Sequence, residues 1–380
     1  MNQNPLHTDR RTVRRRAVAA LVGLVLLGTA CSSDSESDGT PTSAAATTAV
    51  PATTAAPGTT ASPVDTEPAV AGSLTVYSGR SEDLVAPILE RFTDETGIEV
   101  AFRAGGSGEL AAQLLTEGDA SPADVFFSQD AGALGAVEQA GLFAAMPNDL
   151  LSIVSPEFRS ANGQWVGVSG RVRVLVVNPE LVPAPPTTID ELLEARWKGK
   201  LGFAPTNASW QSFVTALRLT RGEEGARTWL EGFKAQEPAA YEGNSAVRDA
   251  VDAGEIAIGL VNHYYVYEKI AAEGEDAVVA RNQFLAAGDP GGLVNVAGIG
   301  VLESSSNKDL AFRLVEFLLS ETGQTYFAET TYEYPLREGV PVAEGLPALD
   351  SLQPLKINLS DLSSIEATQE LLSDVGLLTL

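Results

Sequence analysis

The sequence predicts an α/β protein of two lobes, one set inside the other, and three observations carry that prediction. From residue 74 onward, short apolar runs alternate with stretches of helical periodicity, the pattern of a largely parallel sheet covered by helices. Roughly 300 residues follow a polar N-terminal stretch, enough for two cores. The same alternation restarts near residue 173 with no Pro/Gly-rich linker before it, so the central stretch reads as a second lobe inserted in the first.

Leu74-Thr-Val-Tyr-Ser78 is a short apolar strand. Leu84, Val85, Ile88, Leu89 and Phe92 then recur at helical spacing up to a terminating Gly97. Pro87 within that run predicts a first turn near it or a bend. Residues 98–102 make a second strand, and Leu110, Leu114 and Leu115 mark a helix. Asp124-Val-Phe-Phe127 is a third strand, followed by a helix from Ala131 to Gly141. In the central part, 173–177, 200–204 and 256–261 read as strands, and 211–219 and 222–234 as helices. A strand over 296–302 precedes Leu310, Ala311, Leu314, Val315 and Leu318, an amphipathic helix.

The first 31 residues decide the compartment. Five arginines (Arg10, Arg11, Arg14, Arg15 and Arg16) precede an apolar run over 17–29 that is short for a permanent span and suits a signal peptide. The run ends at Leu27-Gly28-Thr29-Ala30-Cys31, whose Cys is the one cysteine of the chain. A lone Cys after small residues is similar to a lipoprotein signal, with the thiol lipidated by diacylglycerol or palmitate. Export and attachment to the outer face of the cytoplasmic membrane are the expectation. Residues 32–72 are Ser, Thr, Ala, Pro, Gly and acid, too poor in apolar side chains to offset chain entropy, and read as a disordered tether. With one Cys, no disulfide forms within the chain, and the fold rests on its core.

The formal charge is −25 over 380 residues, and the leading segment is itself basic. So acidic a protein is a poor nucleic-acid ligand. Catalytic constellations are absent: beyond the leader the sequence has one His, His263, and it has neither a G-x-S-x-G elbow nor a Walker loop. The chain reads as a binding protein, not an enzyme, and a monomer is expected.

The most unusual stretch is Val261-Asn262-His263-Tyr264-Tyr265-Val266-Tyr267, at the end of a strand and the start of a helix. Asn262 fits an N-cap. Phenolate oxygen is a hard anionic donor suited to a hard cation such as ferric iron, and a bound trivalent ion would remove the phenol proton. A tandem tyrosine can equally be packing; its place at a strand end of an α/β lobe is what marks it. Gly105-Gly106-Ser107-Gly108 and Thr206-Asn207-Ala208-Ser209 each precede a helix whose free N–H groups can hold an anion or simply cap. Asn244-Ser245 has the same two readings. Arg171 and Arg173 flank apolar strand residues and need either an anion or a salt bridge.

Taken in order, Leu74-Thr-Val-Tyr-Ser-Gly-Arg80, Pro122-Ala-Asp-Val-Phe-Phe127, Val168-Ser-Gly-Arg-Val-Arg-Val174, Trp197-Lys-Gly-Lys-Leu-Gly-Phe203, Asn262-His-Tyr-Tyr265, Asp289-Pro-Gly-Gly-Leu293, Ser306-Asn-Lys-Asp309 and Glu333-Tyr-Pro-Leu336 resemble the ferric-ion-binding proteins of bacterial iron ABC transporters, within the type II periplasmic-binding fold. The resemblance covers nearly all of 74–345. It implies two α/β lobes joined by two hinge strands around a cleft, with 73–172 and 300–380 in the first lobe and 173–299 in the second.

The resemblance also implies Fe3+ held by Tyr264 and Tyr265 with a synergistic phosphate, carbonate or citrate. That anion would sit on Asn207, Ala208, Ser209, Asn244, Asn262 and the cleft arginine Arg171. An ABC permease and its ATPase are the implied partners. Two positions depart from the family pattern: Ser81 stands where many members have a His ligand, and Gln129 where many have Glu. Two phenolates leave a ferric ion one charge short, so Glu82, Asp130 or the anion is expected to supply the rest, with Ser81 and Gln129 as further candidates. The alternatives that stay open are a ferric complex, a metal-free anion or small organic solute in the same cleft, and a surface sensor or adhesion lipoprotein.

Overall fold

The computed structural model describes residues 72–379. The signal segment, Cys31 and the expected tether up to residue 71 lie outside these residues; Gly72, expected to end the tether, opens the first strand. None of the described helices is long and apolar enough to cross a membrane.

The first sheet begins with β1 (Gly72–Ser78), α1 (Glu82–Thr96), β2 (Ile98–Ala104), α2 (Ser107–Glu117), β3 (Val125–Ser128) and α3 (Ala131–Gln139). β1 lies between β2 and β3, and both pairings are parallel. Their fully buried side chains, among them Val76, Val125, Phe126 and Phe127, explain why these strands read as continuous apolar runs. α1 buries Val85, Ile88, Leu89 and Phe92 and ends on Gly97 at φ 75°, the left-handed cap the sequence suggested. Pro87 lies inside this helix, which begins earlier than the Pro suggested.

After the short α4 (Asn148–Ser152) comes β4 (Val166–Val177), twelve residues buried along their whole length. β4 serves two sheets. Residues from Val166 to Val172 pair antiparallel with the later strand Val294–Val301, and residues from Arg173 to Val177 pair with strands of the second lobe. The chain therefore changes lobes between Val172 and Arg173.

The second lobe holds β5 (Leu201–Phe203), α5 (Ala208–Ala235), β6 (Ala239–Ala240), α6 (Asn244–Asp252), β7 (Ile258–Asn262), α7 (Tyr264–Glu273) and β8 (Arg281–Gln283). β5 lies between β6 and β7, both parallel to it, while β7 and β8 run antiparallel to β4. α5 covers both helices expected over 211–234 and breaks between them at Gly222, whose φ of 72° and ψ of 170° are not helical. Its core is aromatic, with Trp229 stacked on Phe233 at 5.2 Å and Phe203 packed on Trp210 at 4.8 Å.

β9 (Val294–Val301) returns the chain to the first sheet, between β3 and β4. α8 (Lys308–Leu319), α9 (Glu321–Glu329), β10 (Tyr334–Pro335, on β4) and α10 (Ile365–Val375) complete the chain. Two placements differ from the expected division of 73–172 plus 300–380 and 173–299. The return falls at Val294, because all of β9 is consumed by first-sheet pairing. α10 leaves the first lobe and packs on α5 of the second, burying Leu371, Leu372 and Val375 in the aromatic core. Each such side chain contributes about 1.5–3 kcal/mol, and a Thr215–Thr368 hydroxyl pair at 2.7 Å joins the two helices.

Candidate functional site

β7 delivers the tandem tyrosines, and His263 fixes where they stand. The last residue of β7, Asn262, pairs with Arg173 of β4. Asn262 is therefore a strand residue; the cap position of α7 falls to His263, in helical geometry with no side-chain cap bond, so the expected Asn262 cap is not formed. His263 is fully buried. Its Nδ1 accepts from Val172 N at 3.2 Å, and its Nε2–H donates to the Tyr332 carbonyl at 2.8 Å. Burial pushes the imidazole down to about 4, so it is a neutral pin between a second-lobe helix and first-lobe backbone. Asn282 Nδ2 donates to the His263 carbonyl at 2.7 Å, and Arg248 Nη1 to the Tyr265 carbonyl at 3.0 Å.

On this support the Tyr264 and Tyr265 rings stack at 4.4 Å, 29° from parallel. Tyr264 is 4% exposed and Tyr265 half-buried. Burial, reinforced by the Tyr265 hydroxyl and opposed by Arg171, pushes the Tyr264 phenol well above its usual range. Left to itself, then, Tyr264 is a neutral phenol.

The surroundings are strongly cationic. Arg80 and Glu333, both buried, form a bidentate pair with two bonds of 2.7 Å. Glu333 also accepts from Ser169 Oγ at 3.1 Å and Thr331 Oγ1 at 3.0 Å. Burial alone would raise the Glu333 carboxyl, but Arg80 and then Arg171 hold it below the usual range. Arg171 Nε lies 3.8 Å from the same carboxylate, and neither it nor Arg80 Nε has a hydrogen-bond partner. Among the described residues Arg173 has no carboxylate partner: it donates to Ser209 Oγ and to the Leu260 carbonyl, each at 3.0 Å, and lies over the Phe213 ring. Its burial lowers the guanidinium to about 9. Arg80 acts electrostatically on both tyrosines and Arg173 on Tyr265. Three buried guanidiniums against two buried carboxylates, Glu333 and an Asp130 whose carboxyl burial pushes up, leave positive charge that desolvation makes costly unless an anion balances it.

Of the expected anion residues, Asn207, Ser209 and Asn244 converge next to Arg173, whereas Arg171 stands beside Glu333. Asn207 caps α5: its Oδ1 accepts from Ser209 N at 2.9 Å, Ser209 Oγ at 2.7 Å and Asn244 Nδ2 at 3.2 Å. Asn244, the first residue of α6, also donates to Ser209 Oγ at 3.1 Å, and its buried Oδ1 has no partner. Two helix N-termini, Ala208 between the capping residues, and Arg173 thus share one corner with Asn262.

Four further candidates are not gathered there. Ser81 and Glu82 are exposed, and Glu82 lines a groove between α1 and β2 with Glu90, Asp94 and Glu99. Asp130 is spent as the cap of α3, accepting from Gly132 N at 2.9 Å and Ala133 N at 3.2 Å. Burial, opposed by Arg171, raises its carboxyl. Gln129 is half-buried, and its backbone N–H donates to Ser107 Oγ at 2.9 Å. The Gly105–Gly108 loop is filled by its own packing: a Cβ on Gly79 would lie 1.9 Å from Ser107 Oγ. Sequence reasoning missed Arg80 and Glu333, although both lie within the motifs that carried the resemblance. It also missed Glu268, half-buried on α7, whose carboxyl is pushed up to about 7 by burial, against the pull of Arg248.

A family profile described as bacterial extracellular solute-binding protein matches residues 120–358. The chain is 34% identical over 308 residues to the Fe(3+)-binding periplasmic protein of Serratia marcescens, covering 80% of this chain and 90% of that one. Among solved structures, iron-bound HitA from Pseudomonas aeruginosa superposes with a TM-score of 0.76 at 36% identity, covering 80% of this chain and 99% of HitA. The Trichodesmium IdiA/FutA protein in complex with iron and citrate does so with a TM-score of 0.69 at 30% identity, over 80% and 99% of the two chains.

Proposed function

From the premise that this chain belongs to the bacterial extracellular solute-binding protein family, we propose that it captures ferric iron between its lobes and delivers it to an ABC permease. The observation that carries the reading is a stacked tyrosine pair at a helix start in the field of three buried arginines, of which only Arg80 has a close bidentate carboxylate. A trivalent ion is strong enough to displace the phenol protons that burial otherwise holds. Arg80, Arg171 and Arg173 then favour the phenolates and a synergistic anion alike. Phosphate, carbonate or citrate would rest on the N–H groups at the starts of α5 and α6, with Asn207, Ala208, Ser209, Asn244, Asn262 and Arg171 around it. A relative solved with iron and citrate supports the polycarboxylate end of that range.

The protein binds and releases its cargo without making or breaking a bond in it. The strand crossing at Val172 and Arg173 and the return at Leu293 and Val294 are the two hinges about which the lobes close. The closed form is what the permease and its ATPase recognise. Cys31 anchors the monomer by a lipid to the outer face of the cytoplasmic membrane, and the residues between it and β1 are the tether.

The test is to titrate the apo-protein with ferric citrate, and separately with ferric iron plus phosphate, following the visible spectrum. Wild type should develop a phenolate-to-iron charge-transfer band, and Tyr264→Phe, Tyr265→Phe should not. Iron bound equally well by the double variant would overturn the assignment, and binding of phosphate alone with no iron band would favour a metal-free anion.

A further inference from the structure

We propose that Glu268 supplies a third anionic oxygen to the ferric ion, in place of the carboxylate that the first lobe does not provide. The inference rests on the iron reading above. Two phenolates leave a ferric ion with one positive charge; of the two acids that sequence offered, Asp130 gives its Oδ1 to the cap of α3 and lies under the pull of Arg171, and Glu82 lines an outer groove.

α7 sets the geometry. At about 100° per residue, Glu268 projects about 40° around the helix from Tyr264 and about 60° from Tyr265, between the two and one turn further on. The opposite side of α7 is accounted for, since Val266, Tyr267, Ile270 and Ala271 line a cavity of about 990 Å³ behind it. Glu268 is not part of that lining.

Its charge environment is that of the tyrosines. Arg80, from the first lobe, acts on Tyr264, on Tyr265 and on Glu268, as does Glu333 on Tyr264 and Glu268. Every other carboxylate near this cluster is occupied: Glu333 by Arg80, Ser169 and Thr331, and Asp249 and Asp252 of α6 by Lys269. Glu268 is half-buried, with no hydrogen bond or close ion pair to a described side chain; the cation that pulls on it most is Arg248, which itself pairs with Asp249. A half-buried carboxylate without a partner is costly unless a cation arrives, and carboxylate oxygen is as hard a donor as phenolate.

Glu268→Gln keeps size and helix propensity and removes only the charge. Ferric affinity is read by competition with citrate, the band position by visible absorption, and folding by the melting temperature of the apo-protein. The expected result is a band that persists but moves, an affinity about 30- to 100-fold lower and an apo-protein melting temperature that does not fall, since removing a half-buried charge relieves its cost. Wild-type affinity and band position in Glu268→Gln, with the band absent in Tyr264→Phe, Tyr265→Phe, would overturn the inference while the iron reading stands. A lower melting temperature with an unmoved band would also overturn it, in favour of a structural role. If wild type gives no band, both fall.

Discussion

The two walls of the site are built from different chemistry. The second-lobe wall carries oxygen and amide donors (Tyr264, Tyr265, Glu268, Asn207, Ser209 and Asn244), mostly at helix starts where backbone geometry is fixed. The first-lobe wall carries charge, with Arg80, Arg171 and Glu333 locked to one another and Asp130 turned to capping. The difference teaches a division of labour. On the iron reading proposed above, one wall would grip, and the other would add to the field in which gripping is favourable when the lobes are together. On that reading, cargo capture then depends in part on closure, because Arg80 and Arg171 belong to the opposite lobe while Arg173 stays with the tyrosines.

The sharpest way to break this comparison is to remove the grip. Tyr264→Phe, Tyr265→Phe should abolish the charge-transfer band while leaving far-UV circular dichroism intact. Next comes the charged wall. Glu333→Gln leaves Arg80 buried without its carboxylate, and denaturant unfolding should show a loss of about 3–5 kcal/mol. Iron colour should survive in whatever fraction remains folded. Colour lost in folded protein would mean that the first-lobe wall holds the metal as well.

His263 joins the walls, and its effect is smaller. Its folded pKa of about 4 lies below the ordinary value near 6.5. Between those values the unfolded chain binds more protons, so stability is intact above about 6.5 and falls as pH drops toward about 4. The loss amounts to about 3 kcal/mol, and His263→Gln should flatten the acid limb of stability against pH over that window. Smallest of all, Asp130→Ala should cost about 1 kcal/mol for the lost cap and leave ferric affinity and band position unchanged. A shifted band would place Asp130 among the ligands and erase the division between the walls.

Local features were legible. The tyrosine pair, the Asn207 cap, the strand–helix alternation and the Gly222 break each follow from residues close together in the chain, where propensity and capping act. Asp130 shows the limit. Its type suited a ligand, but the N–H groups of Gly132 and Ala133 claimed its oxygen first. Glu268 was available from its spacing of four from Tyr264, but a lone Glu on a helix ordinarily faces solvent, and nothing local marks this one as half-buried.

By itself the sequence determined the fold class, the position of the tyrosines and the acidic, cysteine-poor character of the exported part, because hydrophobic period and composition are properties of short windows. Tertiary structure alone decided which charges meet. Arg80 finds Glu333 across 253 residues, and α10 leaves its neighbours in sequence to bury three aliphatic side chains in the other lobe. Such pairings are chosen by the cost of leaving a charge or an apolar face unpartnered once the chain has collapsed, a cost that does not exist until the lobes form.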